Sequence, residues 1–450
     1  MSLHNSNRMQ IILSAPIPSM LFKLAAPNMI SVLFMMTVAF SEPFFAGQLG
    51  IVQLASVAII FPFASLVRMV GAGAVGGGVV SALSRAIGKN DLERANSVIW
   101  HAALIYFTLS AIFFLIFVLF SRNLFNLIGA EKDVVDKAVL YSKIFFGLGP
   151  LMWLYFLMLS IYRGCGDYQS LARINITSGL FQLFFSGALS LGWWFFPAMG
   201  LPGIALSVVL PQGFAAFYML FSISRGRFEI SFKITKIKKE IFLDIMKVGG
   251  VAALNSISIA TTMLVTTTFI SKYGTEAIAG YGVCARLEQT LIPLAFGIGG
   301  VLTSAVGTNF GAEQFSRARK AAWLGALLIG ILAGLIGMTV FISPSLWLDF
   351  FTTNPEAYII GALYLGIVGP FFPIFAFGKT LYFASQGTGN MIIPIFGGIT
   401  RLVIVSIIGF ISVYYSLDIK ILFFGVGIAM SSVGLILFIN MFSQTWNPEN

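Results

Sequence analysis

Apolar runs about 20 residues long recur from residue 17 to residue 443, and they constrain this chain more than any other feature. A helix rises 1.5 Å per residue, so roughly 20 apolar residues cross the ~30 Å hydrocarbon core of a bilayer. Hydrocarbon offers no partner to a free backbone N–H or C=O, which leaves helices and closed barrels as the structures that can span it. A barrel strand would alternate apolar and polar residues, whereas these runs are solid. Only 10% of the residues are charged, against roughly 25% in soluble domains. The expected fold is therefore all-α and integral to the membrane. The runs predict twelve transmembrane helices, at residues 17–41, 52–80, 97–120, 139–161, 169–194, 200–222, 243–270, 276–306, 319–343, 357–383, 391–413 and 420–443. The first run is longer than a signal-peptide core and no small-residue cleavage site follows it, so it is expected to be retained as a span.

The longest polar interruption falls in the middle. Residues 222–247 carry Arg225, Arg227, Lys233, Lys236, Lys238, Lys239 and Lys247, seven of the 27 basic residues. This divides the chain into a first lobe (residues 1–221, six spans), a basic linker (222–242) and a second lobe (243–450, six spans). With the N-terminus inside, seventeen basic residues flank the inner ends of the spans: Arg8, Lys23, Arg85, Lys89, Arg94, Arg163, Arg173, the linker cluster, Arg317, Arg319 and Lys320. Only six flank the outer ends: Arg122, Lys132, Lys137, Lys143, Lys272 and Lys420. Cytoplasmic loops are enriched in Lys and Arg, so the bias puts both termini and the linker of this multi-pass protein in the cytoplasm. The same bias accounts for the net charge of +10 without a nucleic-acid partner. The expected partners are the lipid bilayer and a small-molecule substrate, with the chain acting as a monomer.

The two halves repeat each other. Gly88-Lys-Asn-Asp-Leu-Glu-Arg-Ala95 is answered by Gly311-Ala-Glu-Gln-Phe-Ser-Arg-Ala318, with Gly, Arg and Ala recurring 223 residues later. Gly164-Cys165-Gly166-Asp167 is answered by Gly387-Thr388-Gly389-Asn390 at the same offset, and Gly50 and Ala55 by Gly274 and Ala279 at 224. Six spans per half make the repeats parallel, related by an axis along the membrane normal, an arrangement found in alternating-access transporters.

Several of these residues carry a family resemblance. Leu21-Phe22-Lys23-Leu24-Ala25-Ala26-Pro27, Gly47-Gln48-Leu49-Gly50, Ser84 to Asp91, Ala205 to Gln212, Ala285-Arg286-Leu287-Glu288 and Gly307 to Ala312 follow in order. Together they resemble the multidrug and toxic compound extrusion (MATE) family over nearly the whole chain. The resemblance implies a V-shaped pair of six-helix lobes around a central cavity. It also implies an exporter of the cell inner (plasma) membrane, an antiporter of drugs or amphipathic, cationic small molecules, driven by H⁺ or Na⁺. An exporter of lipid-linked or anionic amphiphiles is the alternative, favoured by a basic cavity. No enzyme activity is expected, for lack of a Ser–His–Asp set or any other catalytic cluster. No cofactor beyond the coupling ion and no metal site are expected; Cys165 and Cys284 lie in separate halves without metal-ligand spacing.

Ionisable groups within spans are functional candidates by default. The acids are Glu42 and Glu288; the bases are Arg68, Arg286, Lys379 and Arg401. Glu42 lies 19 residues beyond Lys23, about 28 Å along a straight helix, among apolar residues that favour a neutral, protonated carboxyl. Pro43 beside it withholds a backbone donor and can kink or end the helix. The family pattern places an Asp at this position. It also pairs an Asn with a second acid in the fifth span, and those positions are Gln182 and Ser186 here. The resemblance thus implies an ion-coupling set of Glu42, Gln182, Ser186 and Gln212. Interhelical hydrogen bonding is the competing role for the three polar residues. Arg68 needs an anionic partner, and Glu42 and Glu288 are the deep candidates; a pair with Glu42 would favour the charged carboxylate and make proton coupling harder, so the two readings compete. Arg286 and Glu288 point about 200° apart on one helix. The expected substrate cavity is lined by Arg68, Asn255, Arg286, Glu288, Phe372, Lys379 and Tyr382, its aromatic faces suited to flat lipophilic cations. The run Gly71-Ala72-Gly73-Ala74-Val75-Gly76-Gly77-Gly78 lacks the Gly-Lys-Ser/Thr ending of a phosphate loop and is expected to allow close helix approach.

The orientation predicts a labelling pattern. In a chain with Ser at positions 165 and 284, an impermeant maleimide applied to intact cells should modify Lys420→Cys and spare Lys236→Cys until the membrane is opened.

Overall fold

The computed structural model describes residues 3–127 and 131–447; the side chains of residues 3–8, His4 and Arg8 among them, and of residue 127 lie outside that description. The described regular elements are helices. After a short helix at Leu3–Ser14 come α1 (Ile17–Leu49), α2 (Ile51–Gly88), α3 (Leu92–Leu119), α4 (the pair Lys132–Gly147 and Gly149–Gly164), α5 (Tyr168–Gly192) and α6 (Leu201–Ser224). The second lobe contains α7 (Lys239–Tyr273), α8 (Thr275–Gly311), α9 (Phe315–Ile342), α10 (Pro355–Thr388), α11 (Ile392–Tyr414) and α12 (Ile419–Asn440). With the bent pair taken as one span, these make twelve apolar helices of membrane length among the described residues.

Local chemistry explains where the helices deviate. A single span over 139–161 was expected; the structure begins the helix at Lys132 and bends it by 48° at Leu148. Pro150 cannot donate to the carbonyl four residues back, and Gly147 and Gly149 flank the break. Pro43 acts in the same way on Ala39, and α1 is interrupted at Phe40. Within α2, residues Met69–Val75 form a π-helix, a widened turn common at functional sites. The Tyr106 hydroxyl donates to the Gly71 carbonyl at 2.7 Å and Arg163 to that of Ala72 at 3.3 Å. Arg163, counted above among loop charges, is in fact 8% exposed, with its guanidinium 5.0 Å from the Phe296 ring centroid.

The two lobes are joined at the end that carries the linker. A Cβ on Gly88 would overlap the Thr308 carbonyl, and one on Gly311 the Arg85 carbonyl, so α2 and α8 cross backbone to backbone on the axis of the repeat. Gly78 likewise lies against Ile245 and Gly249 of α7, and Gly77 against Gln386 of α10. Polar contacts reinforce the crossing. Asp244 accepts from Arg85 at 2.5 Å and from Arg94 at 2.8 Å, and Ser81 donates to the Gln386 carbonyl. Nearer the middle, Asn28 reaches the Gly297 carbonyl at 2.7 Å and Tyr168 that of Gly300 at 2.8 Å. Toward the far end, Ser41–Leu49 and Ile51–Arg68 pack on helices of their own lobe, so the lobes diverge as a V.

Residues 225–238 form no helix, yet they are strapped to the first lobe. Asn96 accepts from the Ser231 N–H at 2.7 Å, and His101 Nε2 from the Lys238 N–H at 2.8 Å. Asp167 accepts from Arg227 Nη2 at 2.7 Å.

Overpacking a tight contact costs about 1–3 kcal/mol. Gly88→Val and Gly311→Val should each lower the melting temperature of the purified protein by several degrees. Gly366→Ala, at a helical position with nothing within 4 Å of its Cβ, should leave it unchanged.

Candidate functional site

Away from the linker end, each lobe buries one carboxyl group among the described residues, beside one tyrosine and one arginine. In the first lobe Glu42 is 9% exposed. Its Oε2 accepts from the Tyr141 hydroxyl of α4 at 2.9 Å, and Arg68 Nη1 of α2 lies 3.8 Å from its Oε1. The Arg68 side chain is one-third exposed (33%), against 11% for that of Glu42. Arg68 ends the α-helical part of α2, immediately before the π-turn. In the second lobe Glu288 of α8 is also 9% exposed. Its Oε2 accepts from Tyr364 of α10 at 2.8 Å, and its Oε1 pairs with Arg401 of α11.

Tyr141 and Tyr364 were not singled out in the sequence, but they stand 223 residues apart, the spacing of the repeat. That coincidence was the signal that could have found them. The carboxylates have no counterpart: at the offset of 224 that holds around Gly50 and Gly274, Thr266 answers Glu42 and Ala64 answers Glu288. Equivalent tyrosines thus hold acids delivered by non-equivalent helices, α1 in one lobe and α8 in the other.

Among the described residues, none of the other expected ion-coupling residues is hydrogen-bonded to the carboxylate. Ser186 is fully buried, 2.8 Å from the Ser207 hydroxyl and 3.5 Å from that of Ser41, one residue before Glu42. Gln182 and Gln212 are buried, and Gln212 Oε1 has no hydrogen-bond partner among the described residues. In place of the glutamines, Tyr141 and Arg68 contact Glu42.

Of the expected cavity residues, Phe372, Lys379 and Tyr382 are buried on α10. Lys379 Nζ lies 5.5 Å from the Phe375 ring centroid and 5.7 Å from that of Tyr382. Arg401 shares the Phe375 ring at 4.7 Å, which ties Lys379 to the Glu288 pair. Asn255 is buried on α7, its amide oxygen near Gly398, one turn of α11 from Arg401. Arg286 stands apart: it is exposed and its guanidinium lies 5.8 Å from the Phe351 ring centroid. The roughly 200° that separate it from Glu288 turn it away from the cluster.

Two parallel six-helix lobes, joined at one end and each pairing a buried carboxyl group with an arginine, have the architecture of a membrane transporter. The MatE family model matches residues 27–186 and again residues 252–411, one match per lobe. The chain belongs to the MatE family of membrane transporters. It is 24% identical over 351 residues to the probable multidrug resistance protein YoeA of Bacillus subtilis, covering 77% of this chain and 76% of that protein. To the FAD transporter of Shewanella oneidensis it is 25% identical over 348 residues, again 77% and 76% of the two chains. Among solved structures, a MOP superfamily transporter from Pyrococcus furiosus superposes with a TM-score of 0.88 at 19% identity, over 98% of both chains. A multidrug resistance MATE transporter in an outward-facing conformation gives 0.86 at 20% identity, over 96% of both.

Removing one member of a buried ion pair strands the other, at a cost of about 3–5 kcal/mol, whereas replacing both with apolar residues is often neutral. Arg401→Met should therefore depress the melting temperature sharply, and Arg401→Met combined with Glu288→Leu should recover most of the loss.

Proposed function

We propose that the protein is a secondary-active exporter of amphipathic small molecules, driven by protons and working by alternating access as a monomer in the inner membrane. With the linker on the cytoplasmic side, as the charge bias suggests, the V opens outward and the described state would be the one that releases substrate. The arrangement around Glu42 carries the proposal: a carboxylate near the open end of the V, held by Tyr141 and a partly exposed Arg68. A proton on Glu42 would cancel the ion pair and release the guanidinium toward the cleft. Pro43 and the interruption at Phe40 would let the end of α1 move in response. The ion and the substrate then couple because each binds the two states with different affinity.

A proton suits this site better than Na⁺. A hard cation seeks several oxygens, and Arg68 already occupies the cation position beside Glu42. The relatives named for multidrug resistance and for FAD transport support an amphipathic substrate with a flat ring system. No cofactor beyond the coupling ion belongs to this reading. The anionic-amphiphile alternative gains support from Lys379, a buried cation with no acid of its own.

In proteoliposomes, an imposed ΔpH should drive export of ethidium or of a flavin, and an imposed Na⁺ gradient should not. Glu42→Gln should lower the ΔpH-driven rate at least tenfold while the protein remains monodisperse. Transport driven by Na⁺ alone, or an unchanged rate in Glu42→Gln, would sink the proposal.

A further inference from the structure

Charges balance in the first lobe's centre and not in the second's. Glu42 faces Arg68, one of each sign. Glu288 is used up: Oε1 pairs with Arg401 and Oε2 accepts from Tyr364. Lys379 adds a second cation to that cluster and, among the described residues, has no carboxylate within salt-bridge distance; its charge meets only the ring faces of Phe375 and Tyr382. Lys379 is 2% exposed, so bulk water does not solvate the ammonium. Arg401 is buried as well, and its Nε has no hydrogen-bond partner among the described residues. The Lys379 amine and an unused guanidinium N–H therefore flank one phenyl ring, and whenever that amine is protonated the cluster has one negative charge too few. Buried cations at membrane depth are costly unless paired, and buried donors ordinarily have acceptors.

We propose that this centre is an anion site: Lys379 and Arg401 Nε receive an oxyanion, a carboxylate or phosphate, carried by the transported molecule, and Phe375 and Tyr382 contact its apolar body. The identity of that molecule as cargo rests on the transporter reading above; the anion site itself does not. Bound charge at Lys379 completes the cluster only while the ligand is present. The site thereby supplies the difference between loaded and empty protein that a transport cycle requires. It also sorts the candidate substrates: a lipophilic cation would meet two like charges here, while an aromatic or acyl anion would meet complementary ones.

The test uses matched ligands that differ in one charge. Purified full-length protein is titrated with riboflavin 5′-phosphate and with riboflavin, followed by flavin fluorescence. It is also titrated with a dansyl-labelled undecanoate and its neutral methyl ester. The anionic member of at least one pair should bind at least tenfold tighter. Lys379→Gln should abolish that gap and Lys379→Arg should keep it. In the wild-type chain the preferred anion should also slow acylation of Lys379 by an N-hydroxysuccinimide ester, read by mass spectrometry, while its neutral partner does not. This readout stands even where a Lys379 variant fails to fold. Equal binding within both pairs, a gap that survives Lys379→Gln, acylation indifferent to the anion, or no binding of either anion at millimolar concentration would each overturn the proposal. Binding needs no gradient, so an intact anion gap in a protein that transports nothing would count against the transport reading alone.

Discussion

The architecture depends on a backbone-to-backbone crossing. Where α2 and α8 meet at Gly88 and Gly311, a methyl group on either residue would collide with the partner's main chain. Between helices in lipid no hydrophobic effect favours association, and close packing with interhelical hydrogen bonds must provide it. Glycine at these positions allows that packing, and Arg85, Arg94 and Asp244 add charge-assisted bonds beside it. A narrow, rigid junction at one end leaves the other end of each lobe free to diverge. It therefore sets the shape of the cleft and places Glu42 near the cleft's open end.

The second constraint is the cost of charge in hydrocarbon. Glu42 and Glu288 have each found both an arginine and a tyrosine hydroxyl. A hydrogen bond from a neutral hydroxyl satisfies a second carboxylate oxygen without adding another charge. The two centres differ in what remains free. Arg68 is partly exposed, whereas Lys379 is enclosed among aromatic rings.

Much of this was legible in the chain because its signals are periodic or compositional. The number of spans follows from run length, the repeat from Gly, Arg and Ala recurring at one offset, and the close approach at Gly77 and Gly78 from the glycine run. What escaped depended on three-dimensional neighbours. Tyr141 and Tyr364 are two of thirteen tyrosines, and only the folded chain brings their hydroxyls to an acid. Arg163 sits at the end of α4, where loop charges are expected, yet it turns inward to cap the π-turn of α2. His101, unremarkable in the sequence, anchors the linker by accepting a backbone N–H. The bend at Leu148 was written in Gly147, Gly149 and Pro150, but the hydrophobicity of the run concealed it.

The delivery of the two acids from non-equivalent helices has a consequence for the machine as a whole. Geometrically the lobes are copies, and a rotation about the membrane normal carries one backbone fold onto the other. Electrically they are not, because that rotation brings Thr266 to the place of Glu42 and Ala64 to the place of Glu288. A rocking motion shared equally by both lobes would thus move unlike charges through the same field. The two walls cannot exchange roles during a cycle. A chain assembled from two first lobes would keep the glycine run of α2 and would lose Glu288, Lys379 and Arg401 together.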